Sequence, residues 1–211
     1  MAELLIAHGA RIKKSNYEGD TPLHSCRSAM VAEVLIAHGA LINVENRRGI
    51  TPLCYDAKVT DDADLAEVLI AHGTDVNRAD SQGNTPLHSC GCKVAEVLIA
   101  HSADVNRGNL QGNTRLHSCT SVEMAEVLIA HGADVNRGNL QGNTRLHSCM
   151  GVKMAEVLVA HGADVDRRNS KGSTPLQVVQ NESELLDYDD YKYVIRGLNA
   201  VVDFLRSKGA H

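Results

Sequence analysis

The amino-acid sequence predicts an all-α protein built as a row of stacked helix–turn–helix repeats joined by hairpin-like loops. Two observations lead to this prediction: the chain copies itself at a nearly fixed interval, and each copy joins a helix-start sequence to an apolar run of helical length. The clearest copy is Ala133–Cys149, which is identical to Ala103–Cys119, 30 residues upstream. A fixed period marks a stack of similar units, so the period decides the fold class before overall composition does.

Each repeat begins at a threonine that suits the start of a helix. These threonines are Thr21, Thr51, Thr85, Thr114, Thr144 and Thr174, separated by 30, 34, 29, 30 and 30 residues. A Thr hydroxyl accepts a free backbone N–H of the first helical turn. Pro follows the threonine in four repeats, where its missing N–H costs nothing. Arg115 and Arg145 take that place in the two identical repeats.

A longer apolar run follows in each repeat and predicts a second helix, such as Met124–His131. In most repeats the run ends at a glycine, which suits the left-handed position after a helix. The next residues, Ala-Asp-Val-Asn and then Gly-Asn-Thr, predict a hairpin-like loop with Gly and Asn at its tip. Each repeat is therefore expected to contain two helices and one loop.

The TPLH start, the apolar second helix, the GADVN loop and the Gly-x-Thr restart together resemble the ankyrin repeat, a family with a T-P-L-H-x-A signature and a period of about 33 residues. The resemblance covers nearly the whole chain and implies an ankyrin-repeat solenoid that binds other proteins. It divides the chain into an N-terminal half-repeat (1–19), five full repeats (20–172) and a divergent C-terminal capping repeat with a long helix (173–211). Because the chain opens inside a repeat, the half-repeat is interpreted either as a cap or as part of a longer protein.

Four of the five full repeats are three or four residues shorter than the family period. The loss falls between a cysteine slot, such as Cys119, and the second helix. Since one helical turn takes 3.6 residues, we expect a short first helix. The alternative is one fused helix over Thr114–His131, but such a helix does not fold back to bring Leu116 and Val127 to one core. The repeat that starts at Thr51 is the exception and keeps the insert Lys58–Asp64.

The last repeat departs furthest from the pattern. Asn181 followed by Glu184 resembles a capping box at the start of one amphipathic helix. Its apolar face comprises Leu185, Tyr188, Tyr191, Ile195, Leu198, Val202 and Leu205, which recur every three or four residues. Gly197 weakens the prediction that this helix is continuous. We expect the face to cover the last repeat, and the alternative is that part of the helix protrudes and receives a partner.

Composition excludes several classes of function. A net charge of −5 over 211 residues gives no overall basic character, so no nucleic-acid partner is expected. No apolar stretch approaches the roughly 20 residues of a membrane span. Met1–Ala10 has no basic segment, so we do not expect it to be a signal peptide. We therefore expect a soluble monomer in the cytoplasm, with the nucleus as an alternative compartment.

The histidines and cysteines predict scaffold positions rather than chemistry. Ten of the eleven histidines fall in two registers. The TPLH register holds His24, His88, His117 and His147, and the register that ends the second helix holds His8, His38, His72, His101, His131 and His161. The resemblance implies that the TPLH histidine bonds to neighbouring backbone. One His per repeat, at about 8–10 Å intervals, cannot supply zinc bonds of about 2 Å.

Four cysteines share one slot, which predicts buried reduced thiols. The slot is occupied by Cys26, Cys90, Cys119 and Cys149. The His-Ser-Cys triplet recurs in four repeats, whereas an active site is normally unique. No catalytic residue, metal, cofactor or small-molecule substrate is therefore expected, and a metal-dependent enzyme is the alternative that zinc analysis would test.

Charge points to the loops as the functional surface. Arg78, Arg107, Arg137 and Arg167 follow the last residue of each Asp-Val-Asn or Asp-Val-Asp step. The slot in which ankyrin loops usually carry Asp holds Asn in five of six loops, so we expect a basic loop edge. A row of glutamates, one per second helix, is expected on the opposite face. The alternative is that both are solvated faces without a partner.

The predicted function is a non-enzymatic protein–protein interaction module or scaffold that binds through basic loop tips and the concave face. The alternative is a regulatory or targeting ankyrin segment of a larger signalling protein. The predicted partner is another protein with an acidic face. The predicted binding residues are Arg47, Arg48, Tyr55, Ser81, Gln82, Arg107, Leu110, Gln111, Arg137, Leu140, Gln141, Ser170 and Lys171. Leu110 and Leu140 are apolar residues at expected exposed tips, where they are candidates for anchors in a partner's pocket.

Overall fold

The structure is a computed structural model that describes residues 2–59, 61–185 and 188–210, with side chains for all of these except 182–195. The described chain contains helices, turns and loops and no β-strand, so the all-α prediction is confirmed. The α-helices are α1 Ala2–Ala7, α2 Ala29–Ala37, α3 Pro52–Val59, α4 Ala63–Ala71, α5 Cys92–Ala100, α6 Arg115–Ser118, α7 Val122–Ala130, α8 Val152–Ala160, α9 Pro175–Leu185 and α10 Tyr188–Ser207, with 3₁₀ helices at Pro86–His88 and Arg145–Ser148.

The chain forms two compact units, Met1–Asp104 and Val105–His211, called here the N-terminal and C-terminal units. This boundary lies within a loop between repeats. The boundary lies inside the span predicted for the five full repeats (20–172). The predicted division of the chain into half-repeat, full repeats and capping repeat stays a prediction. None of the described helices is both long and apolar enough to cross a membrane.

The second helices α4, α5, α7 and α8 each bury one narrow stripe. In α7 the buried side chains are Met124, Ala125 and Leu128, and Leu128 lies four and three residues after the other two, so that all three line one face. The corresponding positions of α4, α5 and α8 are buried in the same way. Opposite them, the leucine of each helix start is buried, as Leu116 and Leu146 are. Burying one leucine contributes about 1.5–3 kcal/mol, so these leucines hold the helix pairs together.

The predicted short first helices are confirmed in three of the four shortened repeats, whereas in the repeat that starts at Thr21 residues 22–25 form a turn. α6 has four residues, and the 3₁₀ helices at Pro86–His88 and Arg145–Ser148 have three and four. α3 has eight residues, because its repeat keeps the longer insert. The fused-helix alternative is wrong, since residues 119–121 separate α6 from α7.

The insert has a second role, which is to begin helices. The Asp62 carboxylate accepts the N–H groups of Asp64 and Leu65 at 3.1 and 3.3 Å and so caps α4. The Asp61 carboxylate instead reaches the following repeat and accepts the Val94 N–H in the first turn of α5 at 3.1 Å. The insert therefore stabilises the starts of two helices in successive repeats.

The second helices end as predicted. A glycine with φ between +84° and +89° follows α1, α2, α4, α7 and α8, while Ser102 holds this position after α5 with φ +68°. Histidines of the second register donate through Nδ1 to the carbonyl four residues earlier, at 2.7–2.9 Å. His72 differs, because its Nε2 lies 3.0 Å from the Glu33 carboxylate. In the five histidines that use Nδ1, the same carbonyl also accepts the backbone N–H of the histidine, so the ring adds a second hydrogen bond at the helix end.

The predicted single helix of the last repeat is two helices, α9 and α10. Asn181 lies inside α9, so the predicted capping box at Asn181 and Glu184 is wrong. α10 runs through Gly197 without a break. Leu198, Val202 and Leu205 are buried as predicted, whereas the side chains of Leu185, Tyr188, Tyr191 and Ile195 lie outside the described residues.

Gly197 is the place at which α10 passes closest to another repeat. A Cβ atom at this position would lie 2.8 Å from the Met150 carbonyl oxygen. Glycine is therefore required by close approach, and α10 packs against α8 and α9 on this side. This packing fits the expectation that the C-terminal half of the helix covers the last repeat.

Candidate protein-binding site at the loop tips

Each loop tip is closed by its own asparagine or aspartate. In the tip 139–143 the Asn139 side-chain oxygen accepts the N–H groups of Gln141 and Asn143, both at 3.0 Å. The Asn139 N–H in turn donates to the Asn143 carbonyl at 3.0 Å. The same bonds recur at Asn46, Asp80, Asn109 and Asn169. The predicted hairpin-like loops are therefore present and internally fixed.

Successive tips are also bonded to one another. In the C-terminal unit the Leu140 N–H donates to the Gln111 carbonyl at 3.0 Å, and the Ser170 N–H donates to the Gln141 carbonyl at 2.9 Å. The Asn139 amide donates to the Asn113 side-chain oxygen at 2.8 Å. In the N-terminal unit the N–H groups of Arg47 and Ser81 make the corresponding bonds to the preceding tips, both at 3.0 Å.

This close contact explains the glycine at four tips, Gly19, Gly49, Gly112 and Gly142. At Gly112, φ is +75° and a Cβ atom would lie 2.8 Å from the Leu140 nitrogen. A side chain there would disturb both the turn and the bond to the next tip. The backbone of the tips is thus held by the scaffold, while their side chains remain available.

A second series of bonds joins the base of each loop to the next helix end. The Asn136 amide donates to the Gly162 carbonyl at 2.9 Å, and its side-chain oxygen accepts the Asp164 N–H at 2.8 Å. Asn106 makes the same pair of contacts with Gly132 and Asp134. The asparagine of the Asp-Val-Asn step is therefore a structural residue.

The histidine of the helix start also joins neighbouring repeats. The His147 Nε2 donates to the Ser173 carbonyl at 3.2 Å, while its Nδ1 accepts the Thr144 N–H at 3.1 Å. Since a carbonyl only accepts, the ring proton lies on Nε2. His24 and His117 make the same contacts with the following repeat. The implied bond from this histidine to neighbouring backbone is confirmed for these three residues.

Burial changes the titration of these groups. Desolvation lowers the pKa of His117 and of His147 below the ordinary value, because burial disfavours the charged ring.

The six cysteines are free thiols. Burial raises the pKa of the thiols of Cys26, Cys54, Cys119 and Cys149. These thiols therefore stay protonated near neutral pH and are poor nucleophiles.

The predicted binding residues fall into two groups. All but one have exposed side chains at the loops: Arg47, Arg48, Ser81, Gln82, Arg107, Leu110, Gln111, Arg137, Leu140, Gln141, Ser170 and Lys171. Tyr55 instead is half-buried, and its ring packs edge-on against the His24 ring with centroids 6.4 Å apart. Leu110 and Leu140 are 64% and 70% exposed.

Four of the predicted residues come together around one cleft of about 490 Å³ in the C-terminal unit. Leu140, Gln141, Ser170 and Lys171 border this cleft, and Val178 of α9 forms part of its wall. The cleft thus joins two loop tips to the first helix of the last repeat. Sequence reasoning did not include Val178 in the site.

Tyr17 was also missed. It occupies the tip slot of Leu110 and Leu140, two residues before the tip glycine, and is 90% exposed. Counting back from Gly19 would have found it. The N-terminal unit therefore also presents a large apolar side chain at a loop tip.

The charge of the loops is less uniform than the sequence pattern indicated. Arg78 forms an ion pair with Glu45 in the preceding loop, with its Nε 2.7 Å from the carboxylate. The exposed aspartates Asp134 and Asp164 lie in the same loops as Arg137 and Arg167. The loop asparagines that replace the usual aspartate are structural, as Asn46 at 5% exposure shows. A basic edge stays a prediction, and it is best supported at Arg107, Arg137 and Lys171, which are exposed.

Within the described residues, no group of three or more His, Cys, Asp or Glu side chains is arranged to hold a metal ion. Among the exposed features are the tip side chains and the cleft beside Leu140. Their chemistry is that of a contact surface with apolar, amide and cationic groups.

Comparison with known proteins agrees with the repeat architecture. A family model described as ankyrin repeats (3 copies) matches residues 27–109, 57–139 and 92–169, which together span well over half of the chain. Among solved structures, the ankyrin repeat domain of Bcl-3, described as a unique member of the IkappaB protein family, superposes with a TM-score of 0.72 at 24% identity. That alignment covers 97% of this chain and 90% of the Bcl-3 chain, and at this identity it shows the fold alone. A search of curated proteins gives no match. The chain belongs to the ankyrin repeat family, an all-α solenoid family of protein-interaction modules.

Proposed function

We propose that this chain is a non-enzymatic interaction module or scaffold that binds another protein through its loop tips and the adjoining groove. The observation that carries the proposal is that the backbone of the tips is held in place while their side chains are exposed. Within each unit, hydrogen bonds join successive tips, whereas Leu110 and Leu140 are 64% and 70% exposed. Binding to a surface that is already ordered loses less conformational entropy, so the tips are suited to recognition.

The partner we propose has an acidic face. Arg107, Arg137 and Lys171 are exposed on the loops of the C-terminal unit, and Lys171 borders the cleft beside Leu140. Exposed cations of this kind speed the approach of an acidic partner more than they tighten the final complex. Their effect falls with salt, because the Debye length is about 8 Å at physiological ionic strength.

Charge reversal at the tips tests the proposal. The protein is used to capture partners from extracts of its native host, and the captured partner is then measured against the variant Arg107→Glu/Arg137→Glu. We expect several-fold slower association at low salt and a smaller difference at high salt. The matched control is Lys93→Glu/Lys153→Glu, which makes the same change of charge at exposed positions of α5 and α8. Equal association rates for the two double variants at low salt would overturn the electrostatic part of the proposal.

Oligomeric state and compartment belong to the same proposal. We expect a monomer that acts in the cytoplasm, with the nucleus as the alternative. Light scattering of the purified chain and imaging of the tagged chain in host cells test these two expectations. A stable dimer in solution would contradict the first.

A further inference from the structure

The tips of the C-terminal unit repeat in geometry as well as in sequence. Arg107–Gln111 and Arg137–Gln141 contain the same five residues. In both tips the asparagine side chain accepts N–H groups two and four residues further on, at 3.0–3.1 Å. Leu110 and Leu140 therefore project from equivalent backbones, one repeat apart. A partner that contacts both tips therefore meets an arginine and a leucine in the same arrangement twice.

The interval between repeats limits the backbone of such a partner. Neighbouring packed helices lie about 8–10 Å apart, and the loops that join them follow the same interval. Residues seven apart in an α-helix lie on one face about 10.5 Å apart, just above the upper end of this interval and close enough to match it. In a β-strand the residues of one face are spaced by about 6.6 or 13 Å, which does not match. In a polyproline helix every third residue shares a face at about 9.3 Å, which does match.

The side chains of this unit distinguish the two matching backbones. Grooves that receive polyproline segments are lined by aromatic side chains, and residues 105–181 contain no Phe, Tyr or Trp. Amphipathic helices bind instead through aliphatic contacts at positions i, i+3, i+4 and i+7. Leu110, Leu140 and the cleft wall at Val178 provide aliphatic contacts.

Charge repeats at the same interval. Arg107 and Arg137 each lie three residues before a tip leucine, and both are exposed. Neither forms an ion pair with an acid in the described residues. Lys171 adds a cation at the border of the cleft. A complementary partner therefore carries acidic side chains along the edge of its apolar stripe.

Building on the proposed function, we propose that these tips bind an amphipathic α-helix of the partner, with apolar residues seven apart and acidic residues beside them. Each tip leucine packs against the apolar stripe, and Arg107 and Arg137 face the acids. The repeated loop thus recognises a repeated partner segment.

Three synthetic peptides of matched length and charge test this proposal on the full chain by fluorescence anisotropy at low salt. The first has leucines every seven residues beside glutamates, the second has the same composition with leucines every five residues, and the third is an acidic peptide with prolines three apart. We expect the first to bind at least about ten-fold more tightly than the others. Leu110→Ala/Leu140→Ala should then lower its affinity by about ten-fold, whereas Leu41→Ala, at a loop leucine that is 56% exposed, should not.

Equal binding of the first two peptides, preference for the third, no binding of any, or indifference to the tip leucines would each overturn the helix proposal. If that happens while the captured partner still depends on Arg107 and Arg137, the proposed function stands and only the helix is wrong. If capture is also insensitive to the tips, both proposals fail.

Discussion

Asp61 supplies the helix-capping hydrogen bond that the following repeat cannot make with a side chain of its own. α5 begins after Gly91, which has no side chain to accept a helix N–H. The Asp61 carboxylate fills this role at Val94. A Cβ atom at Gly91 would lie 2.4 Å from the carboxyl carbon, so the glycine leaves the space that the carboxylate occupies. One side chain of the insert thus couples two repeats.

We expect Asp61→Ala to lower the free energy of unfolding by about 1 kcal/mol, because it removes a cap from the first turn of α5. Asp61→Asn is the control, since the carboxamide oxygen still accepts the Val94 N–H and Asn also tolerates the φ of +52° found at Asp61. Urea unfolding of both variants measures the difference. Equal losses for Ala and Asn would show that the bond to Val94 contributes nothing.

Ser102 is a strained residue in the position that glycine holds after the equivalent helices. We expect Ser102→Gly to raise the free energy of unfolding by about 0.5–1 kcal/mol, because glycine adopts positive φ without a steric penalty. The Ser102 carbonyl, which accepts the Asn77 amide at 3.1 Å, is unchanged by the substitution. Thermal unfolding beside Ser89→Gly, an exposed serine with φ −122°, provides the comparison, and that control should be neutral or destabilising.

At the scale of elements, the threonine and histidine of the helix start act as one unit. The histidine ring accepts the threonine N–H through Nδ1 and donates through Nε2 to the next repeat. The last repeat shows that a carboxamide oxygen can replace the histidine Nδ1 as the acceptor of the threonine N–H. There Gln177 replaces the histidine, and its side-chain oxygen accepts the Thr174 N–H at 3.1 Å.

Acidification should therefore weaken the fold. Burial lowers the pKa values of His117 and His147 in the folded chain below the ordinary histidine value of about 6.5, so near and below that pH the unfolded chain binds more protons. Stability is then fully present above about pH 6.5 and falls as pH drops towards the folded-state pKa values. Protonation also places a proton on Nδ1, where the threonine N–H donates.

The double variant His117→Gln/His147→Gln tests this link, since Gln177 shows that glutamine fits the position. Urea midpoints from pH 7.5 to 5.0 should fall less steeply for the variant than for the natural chain. An unchanged slope would mean that other groups control the acid response. The variant should retain the threonine contact at both positions.

Gly197 gives a prediction for α10. Gly197→Ala places a Cβ atom 2.8 Å from the Met150 carbonyl oxygen. Overpacking costs about 1–3 kcal/mol, which exceeds the gain of about 1 kcal/mol that alanine brings to a helix interior. We expect a net loss of about 1 kcal/mol in chemical denaturation. Ala200→Ser, at an exposed position of the same helix, is the control and should change stability little.

The helices show which features a sequence predicts and which it does not. Counting residues between Thr114 and the apolar run predicted a short first helix, because the length of a helical turn is fixed. The cap that Asp61 supplies to α5 and the close packing at Gly197 depend on residues far along the chain, which no local pattern identifies. Asn181 fitted a local capping pattern, yet it lies inside α9. Tertiary packing overrides such patterns.

The candidate binding site also has features that the sequence predicted well and features that it predicted poorly. Loop register predicted the exposed tips at Leu110 and Leu140, because the pattern repeats. The charge of the loops was predicted less well, since Arg78 pairs with Glu45 of another loop. The asparagines that suggested a basic edge turn out to form the hydrogen bonds that fix the tips.

At the scale of the whole molecule, residues that hold the repeats together are separate from residues offered to a partner. Asparagines, histidines and buried leucines make the contacts within and between repeats, whereas the tip side chains contribute little to the core. Substitutions at exposed tips should therefore leave stability within about 0.5 kcal/mol of the natural chain. Their effects should appear in binding.

The most direct test of this account is hydroxyl-radical footprinting of the chain with and without its captured partner, read by mass spectrometry at leucine side chains. We predict that oxidation of Leu110 and Leu140 falls strongly in the complex, while oxidation of Leu4 and Leu41, which are 57% and 56% exposed, stays the same. Unchanged oxidation of Leu110 and Leu140, with protection elsewhere, would contradict the claim that the loop tips are the binding surface.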